Sequence, residues 1–434
     1  MRHLKIRLIL LSFLQFAVWG AYLVSQGRYL SGVGFGDRIG LFYAVQGIVS
    51  MFMPALMGIV ADRYVPAQRL LGICHALAGT AMAAAGIYGV MTGAEVEFGV
   101  LFSLFALSIL FFMPTIALSN SVAYTVLERA GMDPVKEFPP IRVWGTVGFI
   151  CSMLFVDVAG FRGQSMQTTS AQYVVSGILS LALAVYTLTL PGCPVSNAGN
   201  RKSIADAMGL RAFALFRQRR MAVFFIFSML LGVALQITNG FASPFLADFG
   251  HLPEYENSFG VAHSNVLISV SQVSEALCFL LIPFFLKKYG IKTVMLIAMT
   301  AWTLRFALFA VGNPGNGVWL FILSMAVYGV AFDFFNISGS LFVNQTTDKS
   351  MRASAQGLFM LMTNGIGAAA GTLGAQAVVN ALVNVHKSPV QGASTDWYAV
   401  MSGWSVCWWI FAAYALFTAV LFAVFFRYGR AEKH

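Results

Sequence analysis

Apolar residues run through this chain in long blocks separated by short clusters of charge, glycine and proline. Each block approaches the roughly 20 residues that a helix needs to cross a bilayer's hydrocarbon. Barrel strands would alternate with period 2 and stop after about ten residues, and these runs do neither. The pattern predicts twelve helical spans, at 8–30, 39–61, 69–91, 98–126, 141–159, 171–190, 221–245, 263–286, 291–311, 317–341, 353–382 and 400–426. The first follows Arg2, Lys5 and Arg7, as the apolar core of a signal peptide would. However, Gln15, Trp19, Tyr22 and Gln26 interrupt it and no small-residue cleavage site follows, so it is expected to be a retained helix. The stretch 191–220 is longer and more polar than most loops. As a cytoplasmic linker it would divide an N-terminal six-helix bundle, 1–190, from a C-terminal one, 221–434, the layout of a transporter with two repeats.

Composition narrows the class. Of 434 residues, 58% are hydrophobic and only 10% charged, and the mean hydropathy is +0.76. Soluble domains carry about 25% charged residues, so this chain cannot clothe a water-facing surface. Its basic residues crowd alternate loops. With both termini in the cytoplasm, the inner set begins with Arg2, Lys5, Arg7, Arg63, Arg69, Arg129 and Lys136, and continues in the central stretch with Arg201, Lys202, Arg211, Arg217, Arg219 and Arg220. Lys287, Lys288, Lys292, Lys349, Arg352, Arg427, Arg430 and Lys433 complete it, and only Arg28, Arg38, Arg162 and Lys387 fall outside. This bias sets orientation and accounts for the net charge of +10 beside anionic lipid. Nucleic-acid binding would need a basic face on a polar domain, and the sequence has none. Cys74, Cys151, Cys278 and Cys407 lie in apolar runs and Cys193 in a loop, without paired or metal-ligand spacing. They are expected to be small buried apolar residues.

Ionisable residues inside spans are costly and therefore informative. Glu275 and Asp333 are the only two acids predicted deep within spans, with Asp157 near the outer end of helix 5. Arg142 and Arg305 also fall within spans. A mid-bilayer carboxylate costs several kcal/mol unless protonated, paired or wetted. A protonatable carboxyl is also what a proton-coupled carrier needs, although a structural ion pair would look the same in sequence. Arg142 is open to a snorkelling reading. Helical spacing groups other polar and aromatic residues: Gln15, Trp19, Tyr22 and Gln26; Arg142, Thr146 and Phe149; Gln236 and Asn239; Gln272 and Glu275; and Tyr328, Phe332 and Asn336 with Asp333 on the shoulder. Amides and carboxyls meet hydroxyls and heterocycle edges, and rings stack on a π-face, so a cavity so lined suits a neutral, hydroxylated, partly planar solute. The same amides can equally tie helix to helix.

Between helices 2 and 3 stands Gly58-Ile-Val-Ala-Asp62-Arg63-Tyr64, followed by Arg69, with a degenerate echo, Phe285-Leu-Lys287-Lys288-Tyr-Gly290-Ile-Lys292, after helix 8. The first resembles the loop signature of the major facilitator superfamily, in which a small residue permits close packing and the acid and base gate the inner side. It departs from that signature at Val65 and Pro66. More specifically, Phe138-Pro-Pro-Ile-Arg142-Val-Trp-Gly-Thr146-Val-Gly-Phe149 resembles the helix 5 entry of the bacterial nucleoside:proton symporters. So do Leu235-Gln236-Ile-Thr-Asn239, Ser271-Gln272-Val-Ser-Glu275, and Tyr328-Gly-Val-Ala-Phe332-Asp333-Phe-Phe-Asn336-Ile-Ser-Gly with Arg352-Ala-Ser-Ala-Gln-Gly. The resemblance implies an all-α major facilitator fold of two six-helix halves. It also implies a nucleoside site lined by Arg142, Thr146, Phe149, Gln236, Asn239, Gln272, Glu275, Tyr328, Phe332 and Asp333, with Glu275 and Asp333 as coupling candidates and Gly58, Asp62 and Arg63 as the gate. The sister oligosaccharide:proton symporters carry a similar helix 5 arginine and are the alternative.

The expected protein is a monomeric importer in the bacterial inner membrane that carries nucleosides with protons by alternating access of its two halves. Its partners are substrate, protons and lipid, not nucleic acid, and it needs neither cofactor nor metal beyond the coupling proton. An enzyme would need a nucleophile–base or metal constellation, whereas His75 and His263 stand alone in sequence. A channel would show a filter loop or charged ring, and neither is visible. Preference between purine and pyrimidine nucleosides is not written in these residues.

Overall fold

The structure is a computed structural model that describes residues 2–193, 195, 210–348, 351–387 and 395–427. Arg201, Lys202, Lys349, Arg430 and Lys433, assigned above to inner segments, lie outside the described residues, as does half of the proposed linker. The chain divides into two compact units, Met1–Met208 and Gly209–His434. The first holds α1 in two pieces (Arg2–Gly20 and Gln26–Gly32), α2 (Ile39–Arg63), α3 (Ala67–Thr92), α4 (Phe98–Arg129), α5 (Pro134–Val158) and α6 (Ala171–Thr187). The second holds α7 (Arg219–Leu235 and Ile237–Asp248), then Ser264–Val311, which bends at Gly290 into α8 and α9. It ends with α10 (Val318–Thr346), α11 (Arg352–Met360, a π-helical turn Leu361–Gly367, and Ala368–Leu382) and α12 (Trp397–Phe425).

Among the described residues, ten helices are long and apolar enough to cross a membrane, and Ala171–Thr187 is a shorter apolar helix. Counting Ser264–Val311 as two spans after its bend gives the twelve-helix plan. Gly290 makes that bend with φ 77° and ψ 167°, a region that side chains exclude. A two-residue hairpin, Gly160–Phe161 with Gln164–Ser165, joins α5 to α6. Its turn residues Arg162 and Gly163 both have positive φ.

Close helix approach depends on small residues. A Cβ at Gly148 on α5 would overlap the Phe13 carbonyl of α1, and one at Gly20 would overlap the Phe149 carbonyl. In the second unit the corresponding pair does the same, Gly232 of α7 against the Thr363 carbonyl and Gly371 of α11 against that of Val233. Backbones that meet this closely gain dispersion where lipid supplies no hydrophobic drive. The recurrence on α1/α5 and α7/α11 fits two repeats of one six-helix plan.

Three sequence expectations change here. Helix 5 begins at Pro134 and runs through Pro139 and Pro140, rather than starting near 141. Both prolines are exposed and stand near the helix start, where proline costs a helix least. Lys5 of α1 holds this end through Glu137 at 2.5 Å. Arg142 therefore sits more than two turns inside the helix. The four-residue stripe on α1 is also broken, because the helix is interrupted between Gly20 and Gln26. The break is tolerated because the Tyr43 hydroxyl donates to the Leu23 carbonyl at 2.6 Å. All five cysteines are free; Cys151 is exposed, against expectation, and the other four are buried. Burial pushes the loop thiol of Cys193 up, with Arg129 opposing, which leaves it unreactive.

Gly148→Ala should destabilise the protein by roughly 1–3 kcal/mol through overpacking against α1, seen as a lower melting midpoint in detergent. Gly58→Ala should leave that midpoint unchanged, because a Cβ there meets nothing within 4 Å. Equal midpoints for the two variants would refute the close-approach account.

Candidate functional site

In the N-terminal unit the packing of Gly148 and Gly145 against α1 brings Arg142 to Phe16, its guanidinium carbon 3.7 Å from the ring centroid. This is a cation–π contact within the helix pair, which holds the charge over α1. Thr146 is half-buried and Phe149 buried on the same side of α5. Trp19 on α1 donates to Gln46 of α2 at 3.2 Å and sets its ring edge against Phe112. The rest of the α1 stripe turns into the unit itself. Tyr22 packs on Phe105 and Tyr173, and Gln26 accepts from the Tyr173 hydroxyl at 3.4 Å. Gln15 donates to Thr115 at 2.8 Å, and its carbonyl oxygen lies 2.9 Å from His75 Nε2. The other ring nitrogen of His75 lies 2.9 Å from Ser180, whose hydroxyl donates to the His75 carbonyl. Thus three of the four stripe residues are internal ties, and His75, solitary in sequence, joins Gln15 to Ser180.

In the C-terminal unit, Gly329 of α10 lies against the Ser274 backbone and the Glu275 amide of α8, and its N–H meets the Ser274 hydroxyl at 3.3 Å. Only a glycine lets α10 approach so closely. The approach brings Glu275 beside Tyr328, which lies within electrostatic reach of both Glu275 and Asp333. Tyr328 stacks on Phe332, with centroids 5.5 Å apart and planes at 17°. Glu275, Gln272 and Phe332 are half-buried, and Asp333 is buried. On α7, Gln236 occupies the junction between the two helix pieces and accepts from Asn239 at 2.9 Å. Asn336, grouped with these by spacing, donates instead to the Phe332 carbonyl at 2.9 Å and so ties down its own helix.

Each unit thus assembles its own part of the sequence-derived set: Arg142, Thr146 and Phe149 on α5; Gln236, Asn239, Gln272, Glu275, Tyr328, Phe332 and Asp333 on α7, α8 and α10. The gate residues differ in setting. Asp62 and Arg63 are exposed at the end of α2, and Gly58 has no close neighbour in this conformation. Among the described residues, no three His, Cys, Asp or Glu side chains gather to hold a metal ion.

Two buried charges have partners that the sequence reading did not supply. Asp248, at the end of α7, is only 4% exposed; it pairs with Lys387 at 2.7 Å and accepts from Trp404 at 2.7 Å. Nothing in the sequence connects an acid at a helix end with a lysine 139 positions later. The other is Arg305 of α9, visible as a cation in an apolar run but without a partner until the fold supplies one. Its guanidinium lies 4.7 Å from the Tyr328 ring centroid.

Comparison with known proteins agrees with this geometry. The family profile described as nucleoside H+ symporter matches residues 2–431. The xanthosine permease of Escherichia coli is 47% identical over 432 residues, covering 98% of this chain and 96% of the permease. The nucleoside permease NupG of the same organism is 45% identical over 429 residues, with the same coverage of both chains. A crystal structure of the nucleoside transporter NupG superposes with a TM-score of 0.85 at 43% identity, covering 98% of this chain and all of that one. A bacterial homologue of the lysosomal transporter Spinster, at 14% identity and a TM-score of 0.72, shares the fold alone. With this helix plan and these relatives, the chain is a transporter and not an enzyme, and it belongs to the nucleoside H+ symporter family.

Proposed function

We infer that this chain imports nucleosides together with protons by alternating access, and that the residues assembled on α5, α7, α8 and α10 recognise the substrate. The observation that carries the reading is the stacked pair Tyr328–Phe332 beside Glu275 and Asp333, in a chain matched by the family over 2–431. A nucleoside has two chemistries, a flat heterocycle and a hydroxylated sugar. The rings of Phe149 and Phe332 suit the base; the Gln236–Asn239 and Gln272–Glu275 pairs suit its edge and the ribose hydroxyls. The names of the relatives, a xanthosine permease and nucleoside permeases, support the same substrate class.

Glu275 and Asp333 are our candidates for the coupling proton. One proton moving down about 100 mV supplies about 2.3 kcal/mol, and one pH unit adds about 1.4. Together these sustain a gradient of roughly several hundredfold at one proton per nucleoside. The lysine and arginine bias supports cytoplasmic termini, and we place the protein in the bacterial inner membrane as a monomer.

Vesicles loaded with a pH gradient should accumulate labelled uridine, adenosine or xanthosine, and unlabelled nucleosides should compete while lactose does not. Competition by lactose where nucleosides are inert would transfer the protein to the oligosaccharide carriers.

The proton assignment makes its own demand. Replacing the coupling acid by its amide keeps shape and hydrogen bonding but locks the neutral form. For Glu275→Gln or Asp333→Asn, uphill uptake should fall at least roughly a hundredfold, the order of the coupling energy above, while equilibrium counterflow persists. If both variants still concentrate nucleoside in response to a pH gradient, the proton travels through another group.

A further inference from the structure

Arg305 is a buried charge for which the transport mechanism has so far no use. It lies on α9, 2% exposed. One guanidinium nitrogen donates to the Ser324 carbonyl at 2.7 Å and reaches the Ser271 hydroxyl at 3.5 Å; the other terminal nitrogen meets the Met325 sulfur at 3.8 Å. Its Nε has no hydrogen-bond partner. A guanidinium has five N–H donors, and only one of its contacts here is a well-formed hydrogen bond. Its remaining surroundings are rings: Tyr328 at 4.7 Å, Phe309 at 5.6 Å and Trp302 at 6.0 Å from the guanidinium carbon.

A helix clamp does not require this. Replacing buried charge with apolar side chains of similar volume is often neutral or stabilising, and Leu or Met would fill the space without an unmet Nε. What an apolar residue cannot do is hold a ring by its face. A desolvated cation over an aromatic ring is attracted to its quadrupole, and the planar, weakly hydrated guanidinium is the cation best shaped for the task. The nearest of the three rings is Tyr328. Its ring also meets the edge of Trp302 at 5.9 Å and the stacked Phe332 at 5.5 Å. Arg305, Tyr328 and Phe332 form a column that begins in the α9–α10 interface and ends at a half-buried ring.

We propose that Arg305 is a positioning residue for nucleoside binding: from behind, through its cation–π contact, it fixes the orientation of the Tyr328 ring and hence of Phe332 stacked on it. The proposal rests on the reading that Tyr328 and Phe332 touch the substrate.

A double-mutant cycle on the full-length protein tests it. Nucleoside affinity, read as uridine- or adenosine-dependent protection against thermal unfolding in detergent, would be measured for Arg305→Lys, Arg305→Met, Tyr328→Leu and the combinations. Arg305→Met should weaken binding about tenfold, within the range of a desolvated cation–π contact. Arg305→Lys should lie between Met and the parent, since an ammonium cannot both reach the Ser324 carbonyl and lie flat on the ring. Once Tyr328→Leu has removed the ring, either arginine substitution should weaken binding by less than about twofold, because there is nothing left to orient. If Arg305→Met does not reach the membrane, Arg305→Lys alone carries the cycle. Unchanged affinity with a lowered melting midpoint would overturn the proposal in favour of a purely structural clamp. Equal losses in both backgrounds would also overturn it, since Arg305 would then act by another route. If Tyr328→Leu itself leaves affinity unchanged, the site reading fails and takes the inference with it; a cycle without coupling removes the inference alone.

Discussion

In hydrocarbon a backbone N–H or C=O without a partner has no water to turn to, and everything else in this protein is arranged around that constraint. It explains why every span is helical, and where helices are allowed to break. The gap between the two pieces of α1 is bridged by the Tyr43 hydroxyl on the Leu23 carbonyl. The Val18 carbonyl, a turn earlier, accepts from the Ser176 hydroxyl at 2.8 Å. The bend after α8 falls on the one residue type that adopts its backbone angles without strain. The break in α7 exposes Gln236, whose amide is then shared with Asn239. Irregular backbone is costly in a bilayer, so these few places are where polar side chains can be held at fixed angles.

The same absence of water removes the hydrophobic drive for helix association and leaves contact itself to do the work. Glycines supply it, and each functional grouping leans on one. Gly145 and Gly148 let α5 meet α1, which seats Arg142 on Phe16; Gly329 lets α10 meet α8, which sets Tyr328 beside Glu275. Site geometry here follows from where Cβ atoms are missing, one turn from the side chains that carry the chemistry.

Charge within the spans then sorts by what surrounds it. Asp248 and Lys387 neutralise each other, with Trp404 completing the acid's shell, as a structural pair should. Glu275 and Asp333 lie within electrostatic reach of one tyrosine, Tyr328. Arg142 and Arg305, in different units, are each set on an aromatic face. A guanidinium on a ring keeps its charge while its position is fixed, which suits a site that must order aromatic rings without a water-filled pocket around each cation.

Much of this was legible in the sequence. Twelve spans, the two sixfold groupings, and the rarity of Glu275, Asp333, Arg142 and Arg305 follow from one-dimensional physics: hydrocarbon thickness sets run length, and desolvation makes each intramembrane charge an anomaly. Helical spacing also collected the residues that α5 presents in one unit and that α8 and α10 present in the other, because i, i+4, i+7 residues share a face as long as the helix is unbroken. On α1 that inference fails: Gln15, in the unbroken first piece, and Tyr22 and Gln26, at the break, turn inward to Thr115, Tyr173 and their neighbours. Helix 5, expected from 141, instead begins at Pro134 and carries Pro139 and Pro140 within it, since prolines are tolerable near a helix start. Partnership across helices was invisible: that Arg305 meets Tyr328, that Asp248 meets Lys387, and that His75 joins Gln15 to Ser180. Span and scarcity are properties of one helix in lipid and can be read along the chain. Pairing depends on which faces two helices turn to each other, and only the packing of small residues in three dimensions decides that.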